Sequence, residues 1–416
     1  MKKIINWGAY ITLSIAFIVG YVVSNNNETL SNLRLVVDNG LMLDDAGDGI
    51  YKVTKDSNLF GYLSVAESQG YGGPLKAAVL SDVQGNILGT ELIRDFETHA
   101  FLMKLKSNKY FDQYFNKQVN DRLELGNNLN AVSGATVSSR AIANAVREAS
   151  HRIALEKLNM AVPVYKKEWR VSKVELIVLL LFFLGTIAIL FKKKKLRYLS
   201  QFLGFVFLGF MFNASLTLTH FGRVVLGYFP DIHTHLTWWI LMSGTLLVIF
   251  IFGKNVYCSS MCPFRATQVL LNKISGINLK MPHRLSKIMS KTPMFLLWLS
   301  LMLIFISANP TLSSYEPFAM LFSLKGHGIQ WYILPTSLIG ALFFSNFFCR
   351  FFCPVGGVLG WTLKVRNIVT RKYVKTKKPK VFKPKKQEIT KGAIFGMVLY
   401  TTCLISIILF VINEIK

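Results

Sequence analysis

The chain has 416 residues, a mean hydropathy of +0.38 and 52% apolar residues, a composition that excludes a single ordinary soluble domain and predicts two unlike parts. The formal net charge of +26 invites a nucleic-acid reading. Residues 25–170, however, hold 17 Lys+Arg against 17 Asp+Glu, so the excess, 31 basic against 5 acidic residues, lies in the hydrophobic remainder. Membrane topology demands basic flanks of this kind, and no nucleic-acid partner is expected.

In chain order, apolar runs at 4–23, 174–191, 199–218, 236–253, 293–308, 331–348 and 393–412 predict seven spans of a hydrocarbon core about 30 Å thick. Lys2 and Lys3 place the N-terminus in the cytoplasm. Alternation then places inside the KKKKLR run at 192–197, the stretch 254–291 with seven basic and no acidic residues, and 364–391 with twelve basic residues against Glu388. The expected organisation is an N-terminal transmembrane anchor at 1–25, an extracytoplasmic α+β domain at 28–165, and a polytopic all-α membrane domain at 172–363. A basic cytoplasmic loop at 364–392 and a last helix at 393–412 complete it. The chain is thus expected to be multi-pass in a bacterial inner membrane, with the lipid bilayer as a partner. The first run also admits a cleaved signal peptide, although SNNNET after it offers no small-residue cleavage site.

Within the exported part, strands are expected at 60–66, 75–82 and 87–93, the last two joined by a turn at Gln84-Gly85-Asn86. From Ser138 onward, Ile142, Val146, Ala149 and Ile153 recur at helical spacing. Ser138 or Ser139 is the expected cap. Just upstream stands Ser133-Gly134-Ala135-Thr136-Val137-Ser138. A glycine permits close backbone approach, and a threonine hydroxyl beside a helix N-terminus suits a phosphate; an ordinary turn and cap is the competing reading.

This segment resembles the flavinylation motif of the FMN-binding domain family, found in the flavoprotein subunits of Rnf and Nqr complexes and in NosR-type proteins. The stretch from Gly70 to Thr98, with its Gly-Pro start, hairpin and Glu-Thr pair, resembles the same family, and the likeness covers most of 60–155. The resemblance implies FMN joined covalently through its phosphate to Thr136 by a flavin transferase. It assigns Ser133, Gly134, Ala135, Ser138, Glu97 and Thr98 to cofactor binding. The family often continues Glu-Thr with Pro-Gly, where this chain has His99-Ala100.

In the hydrophobic part, VYCSSMCPFRA and FFCRFFCPVGG are two copies of C-x-x-x-C-P whose first cysteines lie 91 residues apart, each following an apolar span. Four-residue spacing brings two cysteines onto one helical face. Cys258, Cys262, Cys349 and Cys353 therefore supply the ligand count of an iron–sulfur cluster, 4Fe–4S or 2Fe–2S; zinc is the alternative metal for the same tetrad. These segments resemble the membrane part of NosR- and NapH-type proteins, over roughly 200–360. Joined to an FMN-binding domain, the arrangement is closest to NosR-like membrane flavoproteins. Such proteins usually carry a C-terminal ferredoxin module, which is not seen here, so the expected donor is a separate cytoplasmic ferredoxin or flavodoxin-like carrier.

Cys403 reads as structural within its span. His220, His233, His235 and His327 near the outer loops read either as a haem, metal or quinone site or as interfacial polar residues among aromatic belts. No catalytic acid–base or nucleophile constellation stands out. The expected function is transmembrane electron transfer from the cytoplasmic carrier through the cluster to FMN and an extracytoplasmic redox acceptor. The alternative is a redox-sensing regulatory or maturation protein for a metalloenzyme. A redox-driven ion pump is disfavoured by the scarcity of ionisable residues in the spans. A cluster inside and a flavin outside would be separated by most of a bilayer about 30 Å thick. Movement of the FMN domain, deeper cysteines or an added relay would bridge that distance.

Overall fold

A computed structural model describes residues 2–26, 41–56, 58–97, 99–164, 173–233, 235–279, 281–312, 315–324, 330–373 and 391–413. Helix α1 (Lys2–Asn26) precedes five strands, β1 (Leu41–Asp45), β2 (Ile50–Lys55), β3 (Asn58–Gln69), β4 (Pro74–Asp82) and β5 (Ile87–Asp95). They form one antiparallel meander in the order β1-β2-β3-β4-β5. The β4–β5 turn falls at the expected place. Asp82 Oδ1 accepts from the Gln84 and Asn86 amides at 2.9 and 2.7 Å, and Gly85 takes φ +89°. The first hairpin was not expected. Its signal is the short run LMLDD before Ala46-Gly47-Asp48-Gly49, where Gly47 and Gly49 both have positive φ.

After α2 (His99–Ser107), helix α3 (Thr136–Glu156) crosses β3 and β4. Ile142, Val146, Ala149 and Ile153 are fully buried, so the periodic stripe is its packing face. The helix begins earlier than expected: Ala135 is the N-cap and Thr136 the first residue, while Ser138 and Ser139 lie inside the first turn.

The remainder is mostly helical: α4 (Lys173–Leu190), α5 (Lys194–Gly204), α6 (Leu218–Leu226), α7 (Leu236–Phe252), α8 (Pro263–Ser275), α9 (His283–Met289) and α10 (Thr292–Ser307), then α11 (Phe318–Ser323), α12 (Gln330–Phe343), α13 (Phe347–Phe351), α14 (Pro354–Tyr373) and α15 (Lys391–Asn413). Two described stretches are long and apolar enough to cross a membrane, Lys173–Leu190 and His283–Ser307; Trp7–Val22, Leu236–Phe252 and Ile394–Leu409 are shorter apolar helices. Two of the expected spans are not continuous. In the run 199–218, α5 passes into a π-helical stretch, Phe205–Met211, and residues 213–217 are not helical. In the run 331–348, α12 ends at Phe343 and spans only about 21 Å.

Helix α1 packs on α10: Phe17 meets Phe305 edge-on at 5.6 Å, Trp298 Nε1 donates to Thr12 Oγ1 at 3.2 Å, and Gly20 lies against the Phe305 carbonyl. It is thus part of the helical body. Leu176, Leu179, Leu180 and Phe183 on α4 and Leu247, Phe250 and Ile251 on α7 face outward, an apolar exterior unlike that of a soluble bundle.

Because Ile142 seats α3 on the sheet, Ile142→Ala should destabilise the N-terminal domain by about 2–5 kcal/mol. Leu155→Ala, at an exposed position of the same helix, should stay within about 0.5 kcal/mol. Denaturant unfolding of the two variants checks both.

Candidate functional site: a flavin turn and a four-cysteine cavity

Thr136 is exposed at the start of α3, and no side chain caps this 21-residue helix. Gly134, at φ +76°, turns the chain into it, and a Cβ there would lie 2.5 Å from Lys104 Nζ, so an ammonium group stands over the turn. An exposed hydroxyl, first-turn amides lacking a side-chain cap and a neighbouring lysine together suit a phosphate ester. Ser133 is exposed, Ala135 buried. The first turn is fixed from below. Ser139 Oγ donates to the Ala135 carbonyl and accepts from the Val132 amide, and the buried Tyr110 hydroxyl donates to the Ser139 carbonyl at 2.7 Å. The expected cap serines therefore do other work.

Ser138 instead donates to Glu97 Oε2 at 2.8 Å, while Glu97 Oε1 accepts from the Tyr71 amide at 2.6 Å. Glu97 is 5% exposed. A Cβ on Gly70 would fall 1.9 Å from Oε1, so only glycine leaves the carboxyl its place. Burial pushes the Glu97 pKa up to about 7 despite the stabilising Ser138 and Tyr71 hydrogen bonds; Asp95 raises it further, while Arg223 lowers it. Asp95 is itself raised by burial. Thr98 lies outside the described residues.

The cysteines occupy two matching loops. In the first, a π-helical stretch Tyr257–Met261 closes with the Cys262 amide donating to the Tyr257 carbonyl at 2.9 Å; in the second, the Cys353 amide donates to the Phe348 carbonyl at 3.0 Å. These bonds join equivalent positions of the repeat, 91 residues apart. Pro263 and Pro354 then open α8 and α14. The pairs are thus not on plain α-helical turns: an i→i+5 closure swings the second cysteine of each inward.

Cys258, Cys262, Cys349 and Cys353 all line one cavity of about 190 Å³, with Arg265, Asn255, Tyr257 and Leu216. All four are free thiols. Gln268 ties the copies together, its Nε2 donating to Cys349 Sγ at 3.0 Å and its Oε1 accepting from the Phe348 amide. The Gly356 amide donates to Cys353 Sγ at 3.3 Å. Among the described residues no three His, Cys, Asp or Glu side chains are grouped closely enough for one metal ion. Four sulfurs around a shared space, with N–H donors and an arginine beside them, fit a polynuclear cluster better than zinc. Cys403 is buried in α15 and does not line the cavity.

The flavin domain and the helical body meet through Arg223. Its fully buried guanidinium donates to the Gly70 and Tyr71 carbonyls at 2.7 and 2.8 Å, to Gln69 Oε1 at 3.0 Å and to the Tyr228 carbonyl at 3.2 Å. His220 Nδ1 accepts from the Thr217 amide and its ring lies between Tyr71 and Trp238. His235 stands at the N-cap position of α7 without a side-chain cap bond, and the His233 amide donates to Asp231. His327 lies outside the described residues. Sequence reasoning missed Tyr71, Lys104, Arg223 and Gln268; of these only Gln268, two turns along a helix that starts at a Cys-Pro motif, leaves a local trace.

The chain carries two stretches of the kind that bind redox cofactors. Residues 70–151 match the FMN-binding domain family, and residues 234–282 and 332–372 the 4Fe–4S binding domain family, each stretch of the latter containing one cysteine pair. These matches support FMN and an iron–sulfur cluster as cofactors.

Among known proteins, the chain is 23% identical over 235 residues to Protein NirI of Paracoccus denitrificans, covering 50% of this chain and 34% of that one. It is 30% identical over 139 residues to Regulatory protein NosR of Pseudomonas aeruginosa, 30% of this chain and 19% of that one. A third relative, 26% identical over 109 residues, is a component of the proton-translocating ferredoxin:NAD(+) oxidoreductase complex of Clostridium ljungdahlii, with 25% of this chain and 58% of that one covered. The chain thus spans less than two thirds of each. Domain content and similarity together are consistent with a NosR-like flavoprotein with a redox role.

Glu97 predicts a pH signature. Unfolded, the carboxyl ionises near its ordinary value of 4.5; folded, near 7. Between these values the folded protein holds a proton that the unfolded chain has lost, so stability is fullest below 4.5 and falls as pH rises toward 7. In a flavin-free Thr136→Ala background, thermal unfolding should show this decline, and Glu97→Gln should flatten it.

Proposed function

We propose that this chain conducts electrons across a bilayer, from a cytoplasmic ferredoxin or flavodoxin-like carrier, through a cluster held by Cys258, Cys262, Cys349 and Cys353, to FMN esterified to Thr136 and on to an extracytoplasmic acceptor. The observation that carries this reading is the convergence of both cysteine pairs on one cavity, whose lining residue Leu216 follows the Ser215 that Tyr71 of the flavin domain contacts. When bound, the two groups supply one-electron redox chemistry.

The residues around them set the conditions. Lys104 and the first turn of α3 would hold the phosphate; Glu97, fixed by Ser138 and Tyr71, offers a buried proton site beside the attachment helix. Gln268, Gly356 and Arg265 would stabilise charge on the sulfurs of a bound cluster and so set its potential. The outward apolar faces and alternate basic loops support a multi-pass arrangement of about seven spanning segments, some broken, with the N-terminus inside and the flavin domain outside. A flavin transferase would install the FMN.

A second reading, a redox-sensing regulatory or maturation protein, is favoured by the likeness to Regulatory protein NosR. One set of measurements separates and tests the readings. Gel fluorescence of denatured wild-type protein should show flavin that Thr136→Ala lacks, and Cys258→Ser should lose iron and the EPR signal of the reduced protein. In cells, both variants should abolish electron delivery while the abundance of the recipient reductase stays normal. Absence of gel-stable flavin or of iron overturns the site assignment; normal delivery with reduced abundance of the reductase favours regulation.

A further inference from the structure

Resting on that conducting role, we infer that Tyr71 and Tyr257 form the bonded bridge between the flavin domain and the cluster cavity, with Arg223 as the residue that positions it. Tyr71 lies in the tight connection between β3 and β4, and its amide is held by Glu97, which also binds Ser138, two residues beyond Thr136. Its hydroxyl donates to the Ser215 carbonyl at 3.2 Å. On the next residue, the Leu216 amide donates to the Tyr257 hydroxyl at 2.7 Å. Tyr257 directly precedes Cys258, and both Tyr257 and Leu216 line the cysteine cavity.

The connection from the attachment helix to the cluster ligands therefore runs over covalent and hydrogen bonds, with two tyrosine side chains and one peptide unit at its centre. Leu216 and Tyr257 are 0% and 1% exposed, so no water intervenes from the surface. The flavin domain and the cysteine cavity are thereby linked through the protein interior. A second aromatic series, Tyr71 to His220 to Trp238, leads to the start of α7 and away from the cavity.

One electron leaves the reduced cluster, which is oxidised by one, and arrives on the flavin, which is reduced by one. No bond forms or breaks. The tyrosines keep their oxidation state and their protons; they supply bonded atoms where a through-space gap would couple weakly. Arg223 acts through them: by gripping the Gln69 side chain and the Gly70 and Tyr71 carbonyls it fixes where Tyr71 points.

The test uses the full chain in lipid nanodiscs. Stopped-flow absorbance follows the cluster and the flavin separately, and hydrogen exchange is read on the flavin-free Thr136→Ala background. Tyr71→Phe, which removes only the hydroxyl, should slow cluster-to-flavin transfer severalfold while flavin content, iron content and exchange protection of residues 69–73 stay as in the parent protein. Arg223→Gln should slow transfer and also lose that protection. Tyr228→Phe, which removes a different junction hydroxyl that donates to the Ala308 carbonyl, should leave the rate unchanged. Transfer at the parental rate in Tyr71→Phe, or slowing accompanied by the same loss of protection as in Arg223→Gln, overturns the bridge. Absence of cluster-to-flavin transfer in the parent overturns the conducting role itself.

Discussion

The arrangement depends on one buried charge. Removing a guanidinium from water costs several kcal/mol unless its donors are met, and Arg223 is fully buried with four hydrogen bonds, each ending on a neutral oxygen. Three of them reach into the flavin domain and one stays in the helical body. The charge is thus met by all four protein acceptors only while the two parts are docked. Separation would exchange these acceptors for water, so the four bonds offset the cost of burying the charge and fix the geometry of the junction. The cation–π contact with Trp238, at 5.8 Å, adds to the helical side of the same grip.

On the cluster side, symmetry performs a comparable task. Each copy of the repeat ends its loop with the same i→i+5 bond and restarts a helix at the same proline, so the two loops present their sulfurs in related ways. They are not interchangeable. Three residues beyond the second cysteine stands Arg265 in one copy and Gly356 in the other, and both line the cavity. The first places a positive charge by the sulfurs; the second has no side chain, and its amide donates to Cys353 Sγ. Backbone amides reach the second cysteine in both halves, only one half adds a charged side chain at this position, and Gln268 holds the halves in register.

Much of this was legible in the sequence because it is local. The β4–β5 hairpin declares itself through Asp82 and Gly85, the packing face of α3 through four apolar residues at helical spacing, and the cysteine tetrad through repetition of a motif that ends in proline. The start of α3 was misplaced because two serines resemble caps, yet Glu97, far away in sequence, claims Ser138. The first hairpin was overlooked because its outer strand is only five residues long. Tyr71 and Arg223 left no sequence signal: a tyrosine among glycines and an arginine in a short helix acquire meaning only when residues about 150 positions apart are folded together.

The broken third apolar run makes the same point from the backbone. Read as apolar composition, 199–218 is one continuous crossing, and a regular helix there would satisfy its own amides and carbonyls. Instead the helix loosens into π-type hydrogen bonding and stops, leaving residues 213–217 irregular in the interior. Buried backbone groups so released require other partners. They find them in the Tyr71 hydroxyl for the Ser215 carbonyl, the Tyr257 hydroxyl for the Leu216 amide and the Glu316 carboxylate for the Leu218 amide. The break is therefore what makes the junction: a continuous helix would have no backbone groups to offer, and the flavin domain and the cysteine loops would then have no bonded connection through this segment.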